Sequence, residues 1–225
     1  MRNKNKIIIS LAAITLLTTI TVSANERIVK YILPELSITY KEKENQKVIV
    51  LDYSHSDIKT STYRDNGATS KIDGTTEREV TNKLTKMVGD KLKDKGFKVI
   101  YTRDIDGSIS IAERVKFANK IKGDLYLSIH ANITDEPIST TSKGIEAFSY
   151  NAWSISNSIL INASEGLGMV NRGVIATRWY NREIKYPSLL LEIGFLNNEN
   201  DLDIIKNKQE EYSDIIVESI VGNLK

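Results

Sequence analysis

The chain has only two histidines in 225 residues, and each follows a strand-like apolar run: His55 in "VIVLDYSHSD" and His130 in "LYLSIHAN". Two carboxylates belong beside them: Glu77 in "GTTEREV", and Glu192 inside the apolar run "PSLLLEIGF". A carboxylate within an apolar strand is costly unless it is paired or functional. Two imidazoles and one carboxylate form a three-ligand set for catalytic zinc and leave a fourth position for water. Such a metal lowers the pKa of its water to about 7 and polarises a carbonyl oxygen. A further carboxylate within hydrogen-bond reach can take the water's proton and hand it to a departing amine, and Glu192 is the candidate. Blander duties exist for each group. An ion pair with Arg103 or Arg114 would satisfy Glu192, Glu77 would complement a helix dipole, and a histidine after a strand is often a loop residue.

The elements around these residues decide whether they can meet. Short apolar runs at 47–53, 97–102, 124–130, 144–150 and 187–195 read as buried strands. Between and after them, 76–96, 110–123, 152–168 and 201–224 have helical periods. The alternation predicts a single α/β domain, a mostly parallel sheet flanked by helices. Thr76 with Glu79, and Ser110 with Glu113, read as capping boxes. In the first helix Val80, Leu84, Val88 and Leu92 make the buried stripe, and Glu77 extends it at the N-terminal end. A helix following a strand by right-handed crossover begins near the carboxyl edge of the sheet, where ligands of open α/β sheets bind. His55, Glu77, His130 and Glu192 are therefore expected at one rim.

Bulk properties narrow the setting. Arg2, Lys4 and Lys6 precede the apolar run "IIISLAAITLLTTITV", and "VSA" ends at Ala24 with the small residues of a signal-peptidase site. Residues 1–24 are read as a signal peptide, with an uncleaved membrane anchor as the alternative, and 25–46 as a spacer. Residues 47–225 then form one domain with one core. Without residues 1–24, which hold three basic and no acidic side chains, the balance of 31 basic and 29 acidic residues becomes −1. That near-neutral charge provides no footprint for nucleic acid. With no cysteine, disulfides, thiolate metal sites and cysteine nucleophiles are excluded.

The ordered segments "LDYSH", "GTTEREV", "YTR", "ERVKFAN", "DLYLSIHAN", "GIEAF", "NRGV" and "PSLLLEIGFLNN" resemble the zinc-dependent N-acetylmuramoyl-L-alanine amidase catalytic domain, amidase type 3, from residue 47 onward. The resemblance implies one Zn²⁺ per chain on His55, Glu77 and His130, with Glu192 as catalytic glutamate. It also implies peptidoglycan as substrate, cut at the amide between the lactyl group of N-acetylmuramic acid and L-alanine. Tyr53, Ser54, Ser56 and Asp57 flank His55 where the family usually has Pro-Gly and Gly-Gly, and Arg78 replaces a usual lysine. Asn132 is a candidate for fixing the ligand loop or touching substrate, and Arg172 for meeting a peptide carboxylate. Arg103, Arg114 and Asn119 are read as equally suited to structural work.

Two other readings keep the same fold: a non-catalytic peptidoglycan-binding module, and a zinc peptidase acting on another amide bond. Retention of Glu192 beside three ligands speaks against the first, and only the substrate groove separates the second. The expected location is outside the cell, in the wall or beyond it, with membrane contact only through an uncleaved N-terminal segment. Division, autolysis, and spore-cortex or germination roles stay open, as does regulation by an activator protein.

Overall fold

The computed structural model describes residues 18–23, 26–33, 36–42, 46–55, 65–105, 107 and 109–224. Most of the stretch read as a signal peptide, and the Ser56 and Asp57 flank of His55, lie outside the described residues. The chain divides into two units, 1–46 and 47–225. The first contains an antiparallel sheet of β1 (Thr18–Ser23), β2 (Glu26–Leu33) and β3 (Leu36–Glu42), in the order β1-β2-β3.

The second unit is built on six strands: β4 (Val48–Tyr53), β5 (Lys98–Tyr101), β6 (Leu125–Asn132), β7 (Ile145–Tyr150), β8 (Asn171–Ala176) and β9 (Ser188–Phe195). Their order is β5-β4-β6-β9-β7-β8. All neighbours are parallel except β7 and β9. This is the α/β architecture expected, with β8 added at the edge. That strand, "NRGVIA", lacks a buried apolar run, so its sequence gives no strand signal.

Helices α1 (Glu77–Asp94), α3 (Trp153–Leu167), α4 (Glu199–Asn207) and α5 (Gln209–Leu224) belong to the larger core. There Val80, Leu84, Val88 and Leu92 of α1 pack with Leu51, Leu127, Ile129, Leu191 and Ile193 of the sheet. A smaller cluster on the other face joins Val50 and Tyr126 to Val115 and Ala118 of α2 (Ile111–Ile121). Each fully buried Leu or Ile contributes about 1.5–3 kcal/mol relative to exposure, so the larger cluster dominates stability.

Two local details differ from expectation. The reciprocal capping box forms at Ser110 and Glu113, whereas Thr76 accepts from the Glu79 amide at 3.3 Å while its own backbone bridges to Thr69. The helix read over 201–224 is two helices broken at Lys208. There the Gln209 side chain turns inward to donate to the carbonyls of Val80 and Ile205.

Candidate active site

Each site residue is carried to the rim by its own element. β4 ends at Tyr53 and delivers His55 in a left-handed conformation, φ 39°, sparsely populated for a side chain with a Cβ. Buried Arg103 secures this turn: its Nη2 donates to the carbonyls of Ser54 and His55, and its Nη1 to those of Asp104 and Ile105. Arg103 thus holds a ligand loop rather than Glu192. Arg114 pairs with buried Asp52 at 3.3 Å and is likewise unavailable to Glu192. Asn119 bonds the Glu183 carbonyl and the Lys185 amide, a structural tie.

Glu77, first residue of α1, is 5% exposed. Its Oε1 lies 3.0 Å from His55 Nε2 and 3.0 Å from His130 Nδ1, and accepts the Ala131 amide at 3.1 Å. Its Oε2 accepts the Ala68 amide at 2.9 Å. Burial disfavours the charge, but the hydrogen bonds from His130 and His55 outweigh it and hold this carboxyl well below its ordinary range. The two imidazoles stand edge to face, ring centroids 5.2 Å apart.

The three ligand atoms, one each from His55, Glu77 and His130, all lie within 4.8 Å of one another. This donor set fits a zinc-type ion. His55 Nδ1 sits 2.8 Å from Asp65 Oδ1, which favours the tautomer that leaves Nε2 able to accept a metal, the usual arrangement behind a ligating imidazole. On His130 the far nitrogen, Nε2, lies 3.4 Å from the Tyr180 hydroxyl, which reaches Asp52 at 3.2 Å and Ser128 at 2.9 Å. Space is kept open as well. A Cβ on Gly67, φ +66°, would come within 2.4 Å of Glu77 Oε2 and 2.8 Å of His55 Nε2. Asp65, Gly67 and Tyr180 were not singled out in the sequence, because nothing in "YRDNGATS" or "RWYNRE" has a period.

Glu192 is the register partner of His130 on one side and of Glu146 on the other, so the three share a sheet face. Its Oε2 is buried with no hydrogen-bond partner among the described residues. Burial raises its pKa most; the imidazole of His130 opposes, Glu77 and Glu146 add to the rise, and the result is about 7. Asn132 donates to Glu146 Oε1 at 2.9 Å and accepts the Ile133 amide, so it braces the loop after β6. Arg172 Nε meets Glu146 Oε2 at 3.3 Å, and its guanidinium lies 4.9 Å from the Phe195 ring centroid. Glu146, in "GIEAF", carried the same signal as Glu192, an isolated carboxylate in an apolar strand.

Two imidazoles and a carboxylate that could hold a metal, beside a further carboxylate on the neighbouring strand, suit an α/β domain to hydrolytic chemistry. Comparison with known proteins is specific about which. Residues 49–222 match the N-acetylmuramoyl-L-alanine amidase family, and the chain belongs to it, as an amidase type 3 catalytic domain. It is 33% identical over 183 residues to the N-acetylmuramoyl-L-alanine amidase LytC of Bacillus subtilis, covering 77% of this chain and 34% of LytC. The chain thus spans about a third of that relative. Among solved structures, the amidase AmiC2 of Nostoc punctiforme superposes with a TM-score of 0.72 at 24% identity, over 81% of this chain and 99% of AmiC2. The CwlD amidase of Clostridioides difficile, solved in complex with the GerS lipoprotein, has the same fold (TM-score 0.67, 23% identity, 79% and 98% covered).

Proposed function

We propose that the chain is an exported zinc hydrolase that cleaves the amide between N-acetylmuramic acid and L-alanine in peptidoglycan, with Glu192 as general base. The observation that carries this is Glu192 itself: its Oε2 is buried without a hydrogen-bond partner among the described residues, beside His130 across the β6–β9 pair. His55, Glu77 and His130 would hold the ion. When bound, zinc supplies a polarised carbonyl and water with a pKa near 7. Glu192 accepts a proton from the attacking water as its oxygen bonds to the lactyl carbonyl carbon, then gives that proton to the alanine nitrogen as the C–N bond breaks. A carboxyl tuned to about 7 can take and return a proton near neutral pH. Asp65 orients His55, and Tyr180 with Asp52 backs His130. Asn132 and Arg172, both on Glu146, shape the ground beside the base.

Action on the wall requires export, for which the basic start and apolar run before Ala24 are suited.

The test is muropeptide release from isolated peptidoglycan by the purified zinc-loaded chain, with and without chelator, beside Glu192→Gln. New L-alanine amino termini and peptide-free glycan are expected, abolished by chelator and reduced about 10²–10⁴-fold in the variant. A different new amino terminus would make the chain a peptidase. Zinc-loaded protein that binds wall without releasing peptide would make it a binding module. CwlD is solved with a lipoprotein bound, so one arm adds cell-envelope extract, and activity confined to that arm would assign an activator.

A further inference from the structure

On the front of the sheet, the face that holds His130, Glu192 and Glu146, no long helix among the described residues covers β7 and β8; a short 3-10 turn, Tyr180–Glu183, reaches β7. Helix α3 packs behind these strands. On the front, Phe148 and Ile175 are register partners, and Trp179 meets the Phe148 ring edge to face at 6.1 Å. Ile175 is 45% exposed and Trp179 57%. At the end of β7, Tyr150, Trp153 at the start of α3, and Arg178 and Arg182 line an open cavity of about 280 Å³. Both tryptophans of the chain are thus exposed at this one edge. Arg178 and Arg182 are exposed and make no ion pair among the described residues. Large apolar side chains clustered at a surface mark an interaction site more often than single ones do.

Continuity with the active site indicates what covers this surface. Glu146, the register partner of Glu192, is four residues from Tyr150, about 13 Å at strand rise. Trp179 directly precedes Tyr180, whose hydroxyl reaches His130. A polymer held with its amide at Glu192 can run across Phe148 and Trp179 into the arginine-lined cavity. If the amide is hydrolysed as proposed above, on which this inference rests, the C–N bond breaks and the lactyl carbonyl gains the water oxygen. Each processed muramic unit is then left with a free carboxylate. The stripped strand combines sugar rings, whose apolar faces stack on aromatic side chains, with regularly spaced anions. Aromatic platforms beside unpaired guanidinium groups match both features.

We infer that the β7–β8 face and its cavity bind peptide-free glycan through Trp179, Trp153 and Tyr150, with Arg178 and Arg182 on the lactyl carboxylates. The chain would then hold the strand it has just stripped while the next amide enters the site.

The two tryptophans provide the readout. Peptide-free glycan strands are titrated into the zinc-loaded full chain while intrinsic fluorescence is followed. Parallel titrations use strands whose lactyl carboxylates have been converted to amides, and free stem peptide. The expected result is a saturable fluorescence change with peptide-free glycan, at least about tenfold weaker for amidated strands and for Arg178→Gln/Arg182→Gln. The amidated ligand tests the charge recognition even if that variant fails to fold. No fluorescence change, equal affinity after amidation, or stem peptide binding as well as glycan would each overturn the inference. Peptide-free glycan is not cleaved at the amide, so this outcome is read independently of hydrolysis.

Discussion

Asp65 shows how much of this site depends on a side chain set behind one of its imidazoles. Its carboxylate fixes the His55 ring from behind at 2.8 Å. Asp65→Ala should weaken zinc binding about 10–100-fold, measured by competition with a chromophoric chelator, with little change in the fold. Glu192 makes a prediction of opposite character. Its folded-state pKa, about 7, lies above the ordinary 4.5, so between those values the folded chain keeps a proton that the unfolded chain has lost. Stability of the metal-free protein therefore falls as pH rises through that window, by on the order of 3 kcal/mol for this group alone. Glu192→Gln should flatten that slope in urea unfolding at pH 5 and pH 7.5; identical slopes would remove the argument for a buried, uncompensated base. His55, His130 and Glu192 were legible because an apolar run ends at or encloses each of them. Asp65 and Gly67 were not, because their contribution comes from a turn folding back over Glu77. The expected alternatives for Glu192, ion pairs with Arg103 or Arg114, give way because both arginines are consumed by the His55 turn and by Asp52.

The elements divide the tasks of stability and placement. Leu84 is fully buried in α1, about two turns from Glu77, and Leu84→Ala should cost about 2–5 kcal/mol in denaturant unfolding. Ser110→Ala, at the start of α2, should cost only about 1 kcal/mol and leave zinc affinity unchanged, since α2 contributes no ligand. Equal effects of the two on zinc binding would mean that α1 does not set the position of Glu77. At this scale the sequence was read well wherever one face is buried. It was read poorly at β8, an edge strand with both faces partly wet, and at Lys208, where a buried glutamine rather than a helix breaker divides α4 from α5. The antiparallel entry of β7 was also not legible, since pairing direction depends on where the chain returns and not on its local pattern.

At the scale of the whole molecule, the three residues that could hold a metal come from positions 55, 77 and 130, and the proposed base from 192. A zinc ion held there would tie together segments that are remote along the chain, and its binding free energy would become folding free energy. At about 100 times its Kd, zinc should stabilise the protein by about 2.7 kcal/mol, seen as a calorimetric transition that drops when chelator is added. A transition indifferent to chelator would argue against a resident metal. The order β5-β4-β6-β9-β7-β8 adds a consequence of its own. The strand made last, β9, is inserted at the centre, and β7 and β8 join the rest of the sheet only through it. Until residue 195 has been synthesised, the chain holds the three candidate ligands but neither the proposed base nor a continuous six-stranded sheet. If Glu192 is the base, as proposed, a nascent or truncated chain of this design lacks it by topology, and activity waits until the final strand slots between its two neighbours.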